Sequence, residues 1–192
     1  MRNLATVAIT LAFPALLAGQ QPAPAPTANP VTAAFQRRIT AMHRNIAQAF
    51  DSIPEAKFSY KPTPAQLSIG FIAQHVASDN YLFCDQFGAK KSSLPEKDTA
   101  TPDSVKATWP KDTLVAKLKA SFAFCQDAMG QLKDGKLADQ VTLSFGGQSR
   151  NLPRISMVLG HALDLADHYS QLANYMRLNG MIPPSALPRP KP

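Results

Sequence analysis

The sequence lacks the short motifs of several common enzyme classes. It has no Gly-x-Ser-x-Gly turn of a serine hydrolase, no His-Glu-x-x-His pair of a zinc protease and no glycine-rich phosphate loop. It also lacks a dense basic run: the net charge is +7, but the lysines are scattered along the chain. Solvated surface accounts for this charge, and we expect no nucleic-acid partner.

The amino-terminal segment has almost no charge. Arg2 is followed by an uncharged apolar run over residues 4–18 and by small residues, which is the layout of a secretory signal peptide. We predict a signal peptide over residues 1–20 and a Pro/Ala-rich linker over residues 21–30, with an uncleaved anchor as the alternative. The expected location is therefore periplasmic or extracellular, without stable membrane insertion after cleavage.

Cysteine is scarce, because the chain has two, Cys84 and Cys125. Both lie in apolar segments of helical character. Export favours their pairing, so we predict a disulfide that joins two helices. Two buried free thiols are the alternative.

Helical periodicity dominates the remaining sequence. Apolar residues recur at intervals of three and four in four long segments, which are residues 31–50, 69–87, 111–129 and 152–178. Residues 89–110 are polar and too long for a tight turn, which suits a crossover between the second and third helices. Residues 141–147 alternate and end in two glycines, which predicts a short extended arm or small hairpin before the last helix. We therefore predict an all-α four-helix bundle over residues 31–186, followed by a proline-rich tail over residues 187–192.

Three polar side chains share one face of the last predicted helix. His161, Asp164 and His168 are three, four and seven residues apart, and His75 lies on the inward side of the second helix. Two ligands four residues apart, with a third from a neighbouring helix, suit a divalent transition metal. Spacing alone leaves alternatives, because Asp164 and His168 could form a surface hydrogen-bonded pair and His75 could be a core residue.

Two longer stretches carry a resemblance to a known family. The stretches FSYKPTPAQLSIGFIAQHVASDNYLFC at residues 58–84 and DHYSQLANYMRLNGMIPPSA at residues 167–186 resemble the DinB-like (damage-inducible) family, in particular its exported bacterial members. The resemblance extends in order over nearly the whole mature chain. It implies a four-helix bundle with a long crossover.

The same resemblance implies a metal site. The family pattern is one histidine on the second helix and two histidines four apart on the last helix, which here correspond to His75 and His168. The remaining position holds Asp164 instead of histidine. A carboxylate can ligate zinc, nickel, manganese or iron and disfavours copper. His161 is the alternative third ligand, although it lies about 10 Å along the helix from His168, and loss of the metal is a further alternative.

Asp79 and Gln171 are expected to hydrogen-bond to these ligands and orient them, and plain polar surface roles are the alternative. An open three-ligand site suits a metal-dependent hydrolase or a thiol S-transferase acting on a small molecule. The alternative is a non-catalytic ligand-binding or stress-related module with a structural or absent metal. A homodimer is expected from family analogy alone.

Overall fold

The structure is a computed structural model that describes residues 28–89, 91–145 and 147–188, with the backbone alone at residue 145. The predicted signal peptide, residues 21–27 of the predicted linker and residues 189–192 of the predicted tail lie outside the described residues. Residues 28 and 29 lead directly into the first helix.

Four long helices make up most of the described chain. They are α1 (Pro30–Ser52), α2 (Ile69–Cys84), α5 (Lys111–Gln131) and α6 (Arg154–Leu178). Ser68 caps α2, because its hydroxyl accepts a hydrogen bond from the Phe71 backbone N–H at 3.1 Å. After α6 the chain turns at Gly180, whose φ of 71° favours glycine. The prediction of a mostly helical fold is confirmed.

The segment between α2 and α5 contains two short helices, α3 (Glu96–Ala100) and α4 (Asp103–Lys106). The sequence analysis predicted a polar crossover here and did not predict these two helices. Gly70 lets this segment approach α2 closely, since a Cβ at that position would lie 2.3 Å from the Ala107 carbonyl oxygen. This contact holds the end of the crossover against the start of α2.

A β-hairpin forms where the sequence predicts a short extended arm or small hairpin. Strands β1 (Gln140–Phe145) and β2 (Gln148–Pro153) pair antiparallel, with Gln140 opposite Pro153 and Phe145 opposite Gln148. Gly147, at the turn, has a φ of 76°. The hairpin leads straight into α6, so its position is coupled to that helix.

The core lies where the long helices meet. Both α1 and α2 pack against both α5 and α6. Buried apolar residues from all four helices form one cluster, which includes Ile46, Ile72, Leu118 and Leu165. Burial of these side chains supplies the main driving force for folding. None of the helices in the described ranges has the length and hydropathy that a membrane span requires.

Two contacts between residues distant in sequence, a helix cap and a cysteine pair, also hold the helices in place. The Asp134 carboxylate accepts hydrogen bonds from the Val31 and Thr32 backbone N–H groups at 3.0 and 2.8 Å, and so caps α1 from a distant segment. The Sγ atoms of Cys84 and Cys125 lie 2.00 Å apart, which is disulfide distance, and connect α2 to α5.

Candidate metal centre

Four side chains from α2 and α6 converge on one point. His75 and Asp79 lie one turn apart on α2, and Asp164 and His168 lie one turn apart on α6. One nitrogen or carboxylate oxygen from each residue lies within 4.8 Å of the others. His75 Nε2 is 3.3 Å from Asp79 Oδ2, and His168 Nε2 is 3.3 Å from Asp164 Oδ1. We call these four residues the α2–α6 cluster.

The helix packing explains this convergence. Each pair is spaced i, i+4, so both of its side chains lie on the same face of their helix, and the two faces meet because α2 packs against α6. The imidazole rings of His75 and His168 stand edge to face, with centroids 4.7 Å apart. His168 is buried, whereas the other three residues are partly exposed.

Burial and the close approach of two carboxylates shift the pKa values of residues in the α2–α6 cluster. Burial and the nearby charge of Asp164 raise the pKa of Asp79 to about 7. Burial, together with the nearby His168, lowers the pKa of His75. Burial also opposes protonation of His168, but the hydrogen bond and charge of Asp164 outweigh it and raise the pKa of that imidazole. A divalent cation would relieve the repulsion between the carboxylates.

Two atoms of the α2–α6 cluster have no hydrogen-bond partner among the described residues. They are Asp164 Oδ2 and His168 Nδ1, and both are buried. Buried polar atoms are normally satisfied, so an unsatisfied carboxylate oxygen beside two imidazoles is a candidate metal ligand. The donor set of nitrogen and carboxylate oxygen fits zinc, nickel, manganese or iron.

The sequence analysis named His75, Asp164 and His168 as ligands and Asp79 as a residue beside them, and in the structure all four lie close together. A carboxylate oxygen of Asp79 lies within 4.8 Å of a donor atom of each of the three expected ligands, so Asp79 is itself a candidate ligand. The i, i+4 spacing of His75 and Asp79 was the sequence feature that indicated a place for Asp79 on the same face of α2. Gln171, the other residue expected to orient a ligand, instead donates a hydrogen bond to Asp167 Oδ2 at 2.8 Å.

His161, the alternative third ligand, lies elsewhere. Its ring is fully buried and shares a second cluster with His43 and Cys125. The seven residues between His161 and His168 span about two turns, which carries the first ring away from the α2–α6 cluster. The geometry therefore favours Asp164 over His161 at that cluster.

A cleft of about 690 Å³ opens beside the α2–α6 cluster. Helix α2 contributes His75 and Asp79 to its wall, α4 contributes Asp103, and the hairpin contributes Leu143 and Arg150. The cleft thus joins two half-buried members of the cluster to apolar surface and one guanidinium. A volume of this size admits a small organic molecule.

Sequence comparison identifies one family. The profile of the DinB superfamily matches residues 17–172 of this chain. Curated protein sequences give no match.

Solved structures share the fold at low sequence identity. A DinB-like protein from Bacillus cereus superposes with a TM-score of 0.60 at 18% identity, covering 79% of this chain and 95% of that chain. A DinB-like protein from Bacillus subtilis gives a TM-score of 0.56 at 16% identity, with coverages of 81% and 96%. The mycothiol-dependent maleylpyruvate isomerase gives a TM-score of 0.56 at 12% identity over 74% of this chain, which spans 59% of that enzyme.

Proposed function

This chain belongs to the DinB superfamily, and from that premise we propose that it binds one divalent metal ion through His75, Asp164 and His168. The observation that carries the proposal is the convergence of these donors, with Asp79, beside a cleft of small-molecule size. The helical-bundle arrangement proposed for the four long helices is supported by their mutual packing.

Asp79 is the fourth candidate ligand or a proton acceptor next to the ion. Its pKa of about 7, raised by burial and by the charge of Asp164, means that the Asp79 carboxyl carries a proton part of the time near neutral pH. A bound cation would favour the ionised Asp79 carboxylate and would release that proton. If Asp79 stays outside the ligand set, its carboxylate is placed to take a proton from a molecule in the cleft.

The proposed activity is thiol transfer or hydrolysis on a small molecule. A divalent metal, when bound, lowers the pKa of a coordinated water or thiol and polarises a neighbouring electrophile. His75, His168 and Asp164 would hold and orient it, while Arg150 could attract an anionic group of the substrate into the cleft. The shared fold of a mycothiol-dependent isomerase supports thiol chemistry, but an exported chain would need a thiol available outside the cytoplasm.

A non-catalytic role is the second candidate. The departure from three histidines to two histidines and an aspartate favours it, because the altered donor set could serve a structural ion or bind ligands without turnover. Export to the periplasm or outside the cell, and assembly as a homodimer, stay predictions.

Metal content tests the proposal directly. Protein without a metal-binding affinity tag would be loaded with zinc, nickel, manganese or iron, dialysed and analysed by mass spectrometry. We expect about one equivalent in the parent chain and a loss in His168→Ala and Asp164→Asn. Asn174→Ala, an exposed change on the same helix, is the matched control. Failure to bind any of the four metals would overturn the proposal.

Two further measurements identify the carboxylate ligand and test for enzymatic turnover. If Asp164→Asn retains the metal and Asp79→Asn loses it, the carboxylate ligand is Asp79 on α2. Thiol-transfer and ester-hydrolysis assays of the loaded protein then separate the enzyme from the non-catalytic module, since turnover that disappears in His168→Ala requires the site.

A further inference from the structure

A second cluster lies deep in the core and draws one residue from each long helix. His43 comes from α1, Cys84 from α2, Cys125 from α5 and His161 from α6. Donor atoms of His43, Cys125 and His161 lie within 4.8 Å of one another, and Cys84 Sγ is 3.7 Å from His161 Nε2. We call these four residues the four-helix cluster.

The two imidazoles of the four-helix cluster are poorly satisfied. His43 is 2% exposed and His161 is 0% exposed. In the described part of the chain, neither ring nitrogen of His43 has a hydrogen-bond partner, and His161 Nδ1 also has none. Burying such nitrogens without partners costs free energy that a leucine or phenylalanine at the same positions would not. Packing alone therefore does not account for these histidines.

We propose that the four-helix cluster is a second, redox-gated metal site: when the Cys84–Cys125 disulfide is reduced, the two thiolates and the two imidazoles bind one zinc ion. Two cysteines and two histidines form a common structural zinc set, in which all four ligands come from protein. A tetrahedral zinc ion holds such ligand atoms about 3.3–3.8 Å apart. Cys84 Sγ and His161 Nε2 are 3.7 Å apart and the donor atoms of His43, Cys125 and His161 lie within 4.8 Å of one another, while the two sulfurs, 2.00 Å apart in the disulfide, would separate on reduction.

Charge explains why the disulfide gates the site. A zinc ion with two thiolates and two neutral imidazoles has no net charge, so it can occupy an apolar core. With the disulfide formed, the same ion would keep a charge of +2 among Phe83, Phe87 and Phe122, whose rings pack on the histidines. Burial of an uncompensated charge is strongly unfavourable, and the oxidised cluster should stay empty.

The imidazoles are already in the form that a metal requires. Burial, assisted by the neighbouring His161, lowers the pKa of His43 to about 3, and burial lowers the pKa of His161 to about 4. Both rings are therefore neutral near pH 7, and their nitrogen lone pairs are available.

A dithiol can serve as the reductant of the Cys84–Cys125 disulfide. The dithiol transfers two electrons to the Cys84–Cys125 bond and becomes a disulfide itself, while the protein gains two thiols. Zinc binding then releases the two thiol protons to solvent. Both sulfurs are fully buried, so the exchange requires local opening of α2 and α5. The simplest source of the reduced form is newly made protein in which the Cys84–Cys125 disulfide has not yet formed.

The experiment compares oxidised and reduced chain in the His168→Ala background, which disables the α2–α6 cluster. Reduction with a phosphine in mild denaturant, followed by anaerobic desalting, gives the thiol form. We expect no zinc in the oxidised protein and about one equivalent in the reduced protein. Cobalt should give a thiolate-to-metal charge-transfer band in the reduced form alone. This difference does not depend on whether the proposed α2–α6 site exists.

Single substitutions and folding controls complete the test. Cys125→Ser should abolish the charge-transfer band, and His43→Gln and His161→Gln should each weaken zinc binding by more than about tenfold. Circular dichroism shows whether each reduced variant is folded. If reduction unfolds the chain, zinc should restore its helicity. A reduced chain that takes up no more zinc than the oxidised chain, or that zinc fails to refold, would overturn the proposal.

Discussion

The rings of His75 and His168 meet edge to face at 4.7 Å between centroids, although they belong to different helices. This contact fixes the distance between α2 and α6 at the α2–α6 cluster. A shared metal ion would join the two helices at the same point, so metal binding and stability should be linked.

We expect zinc at about 100 times its dissociation constant to raise the free energy of unfolding by about 2.7 kcal/mol. Urea titrations with and without the metal measure this change. The stabilisation should disappear in His168→Ala and persist in Asn174→Ala. Equal stabilisation of parent and His168→Ala protein would place the bound ion elsewhere.

Acid should destabilise the oxidised protein through His43 and His161. Their folded pKa values of about 3 and about 4 lie below the ordinary value of 6.5, so only the unfolded chain takes up these protons between those limits. Stability is therefore complete above about pH 6.5 and decreases as the pH falls toward 4. At pH 4.5 each histidine should cost about 2–3 kcal/mol.

Urea unfolding at pH 7 and pH 4.5 measures this effect. His43→Gln removes one of the two titrating rings, so its loss of stability between the two pH values should be smaller by a similar amount. The same pH dependence in parent and variant would show that His43 does not hold a depressed pKa.

Alanine substitutions at Gly70 and Gly130 compare a glycine packed tightly against the crossover with one that faces open space. Gly70→Ala should destabilise the protein, because the new Cβ would lie 2.3 Å from the rigid Ala107 carbonyl oxygen. Gly130→Ala, on α5 with no neighbouring atom within 4 Å of the new Cβ, should stabilise it by up to about 1 kcal/mol. Thermal unfolding of both variants measures the contrast, and similar shifts would contradict the close approach at Gly70.

The long helices were predictable because apolar periodicity is a local signal. The first helix was predicted over residues 31–50 and is found at Pro30–Ser52. By contrast, α3 and α4 have five and four residues, too few to display a period. Their position depends on contacts such as that at Gly70, which a sequence does not display.

The α2–α6 cluster was predictable in part for the same reason. The spacing of Asp164 and His168 defines one helix face, but the distance from that face to Asp79 depends on how α2 packs against α6. The four-helix cluster was harder to predict, because its members are far apart in sequence and no two share a helix. Only the two cysteines indicated that α2 and α5 meet there.

Removal of the Cys84–Cys125 link should lower the free energy of unfolding by about 4 kcal/mol in the absence of metal, given a sequence separation of 41 residues. The Cys84→Ala, Cys125→Ala double variant, compared with the oxidised parent by urea unfolding, tests this estimate. A change below about 1 kcal/mol would indicate that the unfolded chain is already compact in this region.

The same link encloses the entire crossover, including α3 and α4. A protease that cuts this polar, largely exposed segment once would therefore leave two pieces that remain covalently joined. The clipped protein would run as one species on a non-reducing gel and separate into two fragments after reduction. Backbone cleavage in the crossover and release of either half of the chain are thus separate events.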